Sequence, residues 1–359
     1  MPENDIAKLR LLAQQITQHR LKSPQALVAH MGAIQAQDYH AGRHAVGLRV
    51  PDANLQSVEK AINKAEIIRT WVFRGTLHIV TATDIRWMTN FVKDRIFRKF
   101  RTIERPLDID ESKYHSTIYP LLQKELKGGK QLMRTEIAAL LESHNIPEVY
   151  SRYLLLRASL EGIICHGPMR GKQYTFTLLD EWVPTKTIIS PEEIPGELAK
   201  KYFLSHGPAT IADFMTWAGI TQKEAQIGLE AAKPLLDSLV INNTHYWYDK
   251  KLDASRHKIP EALLLPAFDE YYVAYKDRSH VLEDAHVRKV LTTNGIFFPI
   301  MVQEGQITGV WKKNISKKGV ELIFQPFKTM KKPQQQAFSV SAEAYAAYLQ
   351  QPLDRITII

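Results

Sequence analysis

The chain has 359 residues, 45% of them hydrophobic and 24% charged, a composition typical of globular proteins and enough length for several small domains. No run of about eighteen apolar residues occurs, and the N-terminal MPENDIAKLRLLAQQITQHR is charged and amphipathic, so neither a membrane span nor a secretory signal is expected. Lysine and arginine outnumber aspartate and glutamate by 47 to 38, and the resulting +9 favours a polyanionic partner, because each neutralised phosphate releases counterions.

Three successive segments share one pattern, helices followed by a strand pair. In the first, IAKLRLLAQQIT, PQALVAHMGAI and LQSVEKAINKAE have helical apolar spacing, and IIRTWVFRG and TLHIV alternate like strands joined near Gly75. In the second, YHSTIYPLLQKELK and RTEIAALLESHNI read as helices, followed by YSRYLLLRASLEGII, a basic tip, GPMRGKQ, and the strand YTFTLL. In the third, GELAKKYFLSHG, TIADFMTWAGI and TQKEAQIGLEAAKPLLDSL read as helices, and LVINNTHYWYDKKL as a hairpin turning at Asn242 and Asn243. Helices followed by a two-stranded wing are the winged-helix arrangement, a relative of helix-turn-helix. The stretches IPEALLLPAF, GIFFPIMVQEGQITGVWKK and KGVELIFQPF are short, β-rich and punctuated by glycine, which predicts a small antiparallel barrel or sheet, with SAEAYAAYLQQ as a closing helix.

The expected fold class is therefore α+β, with three tandem winged-helix modules and a C-terminal β-barrel. Proline-rich, acidic stretches at ERPLDIDES and PTKTIISPEEIPGE mark boundaries, giving modules at 1–105, 106–190 and 191–257 and the barrel with its helix at 258–359. Basic residues crowd at Lys93, Arg95, Arg98, Lys99 and Arg101, and again at Lys312, Lys313, Lys317 and Lys318, as solvated faces or as a nucleic-acid footprint.

Much catalytic chemistry is missing. The chain lacks H-E-x-x-H, C-x-x-C, a Walker loop, G-x-S-x-G and a dinucleotide-binding glycine motif. The lone cysteine, Cys165, lies in the apolar LEGIICHG and reads as a buried, inert thiol, which fits a cytoplasmic protein. His40 and His44 have the i, i+4 spacing of a metal pair, but no acidic or cysteine partner stands at matching spacing. No metal and no cofactor are expected.

The segment MGAIQAQDYHAG is the most unusual stretch. Gln35, Gln37 and Asp38 follow an apolar helix directly. Residues two apart diverge on a helix and share a side in extended chain, so Gln35 and Gln37 can act together only if the helix stops near Gly32 to Ile34. On spacing alone, the favoured reading is two amides that merely cap the preceding helix or bond to neighbouring backbone.

MGAIQAQDY, then RTWVFRGTLHIV, YFLSHGPATIADFMTWAG, LLLPAFDEYYVAYKDRS and IMVQEGQITGVWKK together resemble, in order, the YcaQ/AlkZ-like winged-helix proteins from about Ile6 to about Phe327. The resemblance implies a C-shaped, concave surface around duplex DNA. It also implies a DNA-repair glycosylase that removes N7-alkylated purines and unhooks interstrand crosslinks. Gln35-Ala36-Gln37 matches the glutamine–any–glutamine signature of the AlkZ-like branch, and Asp38 lies one place too far along for the glutamine–any–aspartate branch. The implied catalytic residues are Gln35 and Gln37.

An N7-alkylated purine carries a positive charge and leaves as a neutral base without an acid. What remains is to hold a water at C1′ and to face the developing sugar cation with an amide dipole. With no lysine singled out as a nucleophile, hydrolysis to an abasic site is expected. Candidate DNA-contacting residues are Arg43, His44, Arg74, His78, Arg170, Lys172 and Asp269, with a structural role the alternative for His78 and a surface role for Arg43 and His44. The expected partner is damaged duplex DNA, met by a monomer associated with the nucleoid and with no membrane involved. The competing reading is a non-catalytic winged-helix regulator, and behind it a protein-interaction scaffold.

Overall fold

The computed structural model describes residues 5–104, 111–184, 187–253 and 259–359. The boundary expected in ERPLDIDES, the one at 257/258 and the side chain of Arg101 fall largely or wholly outside those residues. The chain divides into unit 1, running to Glu59 and resuming at Pro195, and unit 2, Lys60–Ile194.

Unit 1 opens with α1 (Asp5–Ala13), α2 (Pro24–Met31), the short extended β1 (Ile34–Gln35) and α3 (Tyr39–Gly47), and α4 (Leu55–Asn63) runs over the division. Local signals set these ends. The Ser23 hydroxyl caps α2 by accepting from the Ala26 amide, with Pro24 in the first turn. Apolar residues of α1, Ala7 and Leu11, enter a core with Leu265, Tyr271, Val281, Ile300 and Val302 from the distal half of the same unit.

Unit 2 holds the antiparallel hairpin β2 (Ile67–Trp71) and β3 (Leu77–Thr81), α5 (Ile85–Glu104), the short α6 (Glu111–Lys113), a π-helical turn and α7 (Tyr119–Leu126). It continues through β4 (Leu132–Met133), α8 (Arg134–Glu142), α9 (Ser151–Leu160), β5 (Ile164–Arg170), β6 (Gln173–Leu178) and α10 (Leu179–Trp182), with sheet order β4-β6-β5. Trp71 of the first hairpin stacks on Phe176 of the second at 6.2 Å, with the His166 ring 5.0 Å from it.

Unit 1 resumes with α11 (Ile194–His206), α12 (Ile211–Ala218), α13 (Gln222–Ala232), β7 (Leu236–Ile241) and β8 (Thr244–Asp249). Thr210 and Thr221 form capping boxes with Asp213 and Glu224 at the starts of α12 and α13. Asn242 and Asn243 both take positive φ, as the tight hairpin turn between β7 and β8 requires. The helix expected to run through Leu239 stops at Ala232. Pro234 cannot supply a helical N–H, and β7 instead pairs with β8 from Leu236.

The remainder is β9 (Ala262–Leu265), α14 (Glu270–Val273), α15 (Val287–Val290), β10 (Ile300–Gln303), β11 (Gln306–Ser316), β12 (Gly319–Pro326), α16 (Lys332–Tyr348) and β13 (Leu353–Ile358). The expected barrel is corrected here. Among the described residues the five strands form an open sheet, β13-β12-β11-β10-β9. After α16 the chain returns as β13, parallel to β12, and takes an outer place that a closing strand would need. α16 packs against both outer strands, β9 and β13, so a helix covers the sheet where a barrel would close on itself.

One buried ion pair ties the two halves of unit 1. Arg49, just past α3, donates to both oxygens of Asp269 at 2.9 and 2.7 Å, and both side chains are fully buried. Its other donors go to the Gln14 carbonyl, the Gln14 side chain and the Ala45 carbonyl. Asp269 also caps α14 by accepting from the Tyr271 amide. Asp269→Ala is expected to cost about 3–5 kcal/mol, because it strands a buried guanidinium. Chemical unfolding checks this, and the double replacement Arg49→Met with Asp269→Leu should cost less than the single one.

Candidate active site

The glutamine segment is built by a helix that stops. α2 ends at Met31, and Gly32 takes φ 75°, a backbone that side chains with a Cβ rarely adopt. A Cβ there would also stand 3.2 Å from Lys201 Cβ and 3.4 Å from the Trp217 ring. Ile34 and Gln35 follow in extended backbone, so the interruption that the Gln-x-Gln pair needs falls before Gln35. Ala36 is fully buried, Gln35 nearly so, and Gln37 is half-buried. Asp38 ends the link by capping α3, its carboxylate accepting from the Ala41 amide at 2.9 Å.

Beneath Gln35 lies a carboxylate. The Gln35 backbone amide donates to Glu270 Oε1 at 2.7 Å. The Trp217 indole N–H donates to Glu270 Oε2 at 3.2 Å, and His206 Nε2 stands 3.4 Å from the same oxygen. The Ser205 hydroxyl donates to the Lys201 carbonyl at 2.6 Å and stands 2.7 Å from His206 Nδ1. Tyr202 stacks on His206 at 5.0 Å, completing an aromatic floor with Trp217.

The remaining candidates sort by burial. Arg43 is 4% exposed, pairs with Glu59, donates to His40 Nδ1 at 2.6 Å and lies over the Tyr39 ring at 4.4 Å. His44 sits among Tyr345, Tyr348 and Trp311. Burial, then the charges of Lys313 and Arg49, push its pKa down to about 3, so it is neutral near pH 7 and offers a phosphate no charge. Asp269, expected to face DNA, is 1% exposed with both oxygens committed to Arg49. Burial and that pair place it in the frame of the site.

Four candidates belong to unit 2. His78 is fully buried, with Nδ1 3.0 Å from the Thr76 carbonyl and its ring edge-on to Phe73. Arg74 is half-buried in the turn between β2 and β3 and holds φ 60°. Arg170 and Lys172 are exposed at the tip of the β5–β6 hairpin, around Gly171, and Arg170 pairs with Glu136. Sequence reasoning missed Glu270, Trp217, His206 and Arg49. The faint signal for Glu270 was a second acid directly beside Asp269 in PAFDEYY.

Gly32→Ala should destabilise the protein by about 1 kcal/mol or more through the strained φ, read as a lower unfolding midpoint. The His44 ring resonance should stay flat between about pH 5 and 8. Unfolded His44 takes up a proton below its ordinary 6.5, whereas the folded ring resists until about 3. Its contribution to stability is thus whole above pH 6.5 and is lost as the pH falls toward 3. A His44→Phe protein should lose less stability on acidification than the parent.

Residues 28–348 match the model of the family described as DNA glycosylase AlkZ-like. An interstrand DNA cross-link repair glycosylase from Streptomyces sahachiroi is 24% identical over 312 residues, 80% of this chain and 81% of that protein. The solved structure of the Streptomyces sahachiroi DNA glycosylase AlkZ aligns over 99% of both chains with a TM-score of 0.78 at 22% identity, so the mixed α+β fold is shared. The family match spans the glutamine link, α3 and the Asp269–Glu270 pair alike, and the chain belongs to the AlkZ-like DNA glycosylase family.

Proposed function

We propose that this protein is a monofunctional DNA glycosylase acting on cationic N7-alkylated purines in duplex DNA, with Gln35 and Gln37 as its catalytic residues. The carrying observation is the end of α2 at Met31, which leaves both glutamines in the link before α3 rather than on a helix. Membership of the family supports the reaction class.

The chemistry needs little from the protein. A water oxygen bonds to C1′ as the C1′–N9 bond breaks. The electron pair moves to N9, and the positive ring leaves as a neutral alkylated base. The water's spare proton passes to solvent, since an amide is too weak a base to keep it. The amide oxygens accept from the water and turn their dipoles to the sugar cation, so the gain comes from position and electrostatics. No charged acid is required beside them, which agrees with neutral His44 and with Arg43 occupied by Glu59 and His40.

We read the helix-and-hairpin runs ending in β3, β6 and β8 as winged-helix modules, and Arg170 and Lys172 on the second hairpin tip as phosphate contacts. A monomer on duplex DNA fits this reading, and unhooking of interstrand crosslinks is a further activity to test on the same residues. Substrate choice should follow leaving-group charge, with N7-methylguanine released and uracil left in place.

Gln35→Ala and Gln37→Ala should each lower single-turnover release of N7-methylguanine by about a hundredfold or more, the scale of a lost positioned group. Alkaline cleavage of the product duplex reads the abasic sites. Unchanged rates in both variants would sink the assignment. Salt-sensitive duplex binding with no base release by the parent protein would instead mark a DNA-binding regulator.

A further inference from the structure

The backbone of Gln35 is tied to a residue 235 positions away, and that tie has the form of a positioning device. Glu270 is 1% exposed and is the first residue of α14. One oxygen receives the Gln35 amide at 2.7 Å. The other receives the Trp217 indole N–H at 3.2 Å and faces His206 Nε2 at 3.4 Å. The carboxylate is thereby held at one end by the indole of α12, with the His206 ring of α11 beside it, and presents its other end to the glutamine link.

Its neighbour in sequence grips the far side of the same stretch. Asp269 holds Arg49, two residues beyond α3, through two hydrogen bonds. The Asp269–Glu270 dipeptide therefore anchors the segment from Gln35 to Arg49 at both ends. Between them Asp38 caps α3, which leaves the intervening chain little freedom to rotate.

We propose that Glu270 is a positioning residue for the Gln35 amide side chain, acting through the Gln35 backbone N–H rather than on substrate. A buried carboxylate is costly to desolvate unless its hydrogen bonds are filled, and here the peptide of the link fills one of them. The orientation of that peptide sets the direction in which the Gln35 side chain leaves the backbone. Replacing the carboxylate frees the peptide to turn, and a catalytic group that works by placement loses its advantage on a shift of about 1 Å. This inference rests on the proposed glycosylase reading for its kinetic consequence, and on geometry alone for the tie itself.

The test uses the full chain in two measurements. Glu270→Gln keeps the side-chain volume and removes the charge. It should slow single-turnover release of N7-methylguanine by about a hundredfold while the Kd for undamaged duplex stays unchanged, a split that general loosening of the fold would not produce. Independently of activity, protein labelled with ¹⁵N-glutamine should show the Gln35 amide proton far downfield, as a charge-assisted hydrogen bond requires, and E270Q should move it upfield.

If E270Q does not fold, Trp217→Phe releases the carboxylate at its other end and should shift the same resonance with a smaller loss of rate. An unmoved Gln35 resonance, or a rate and Kd that fall together, overturns the proposal. Should the parent protein release no base, the glycosylase reading falls, and the resonance alone then decides whether Glu270 holds Gln35.

Discussion

Two adjacent carboxylates, Asp269 and Glu270, govern how the glutamine link is held. They meet Arg49 and the Gln35 peptide, which flank that link and α3 on either side. Neither contact is cheap, since each takes a charge out of water, and well-packed apolar residues would often be no less stable. What apolar packing lacks is direction. A bidentate guanidinium–carboxylate pair and a 2.7 Å amide–carboxylate bond tolerate little rotation, so they fix orientation as well as place. The apolar core beneath them, Tyr271 and Val281 against Ala7 and Leu11, supplies bulk stability, and the acids supply register.

The legible parts of the fold are those written in short-range chemistry. Ser23 and Pro24 announce α2, Thr210 and Thr221 announce α12 and α13, and the Asn242-Asn243 pair announces a hairpin. Each signal acts within four residues, so one sequence suffices to read it. The stop at Gly32 has an equally local basis, a positive φ with its own residue preference, although apolar spacing carried the expected helix on to Ile34. What was illegible depends on distant partners. β13 takes its place by lying parallel to β12 after a seventeen-residue helix, and nothing in LDRITI announces the neighbour. The expected barrel failed for that reason: strand content was visible, closure was not.

The candidate site divides along the same line. Gln35 and Gln37 are proposed from the resemblance, and the helix break they require is local. The residues that frame them were hidden, because a buried acid and a surface acid are spelled alike. Asp269 read as a residue facing DNA until its partner, 220 positions upstream, was known. His44 read as a phosphate contact for want of its aromatic neighbours, which turn it into a neutral packing ring. Periodicity reports which face of a helix is buried, and it is silent on what a buried polar group meets.

The charges around the glutamines bear on how such a site would work. Arg43 is engaged by Glu59 and His40, Arg49 by Asp269, and Lys313 donates to Tyr345 with its pKa lowered by burial. These three cations are therefore spent within the protein. Under the proposed reading, affinity for a polyanion would rest instead on exposed groups such as Lys172, Lys312, Lys317 and Lys318. Under the proposed reaction that separation is useful. A free cation beside Gln35 would oppose the positive charge growing on the sugar, whereas an amide opposes nothing and attracts through its oxygen. An amide also has no acidity to tune, so no pKa adjustment can make up for poor placement. The whole of its contribution has to come from geometry, and rigid anchoring at both ends of the segment is the means by which a protein can supply it.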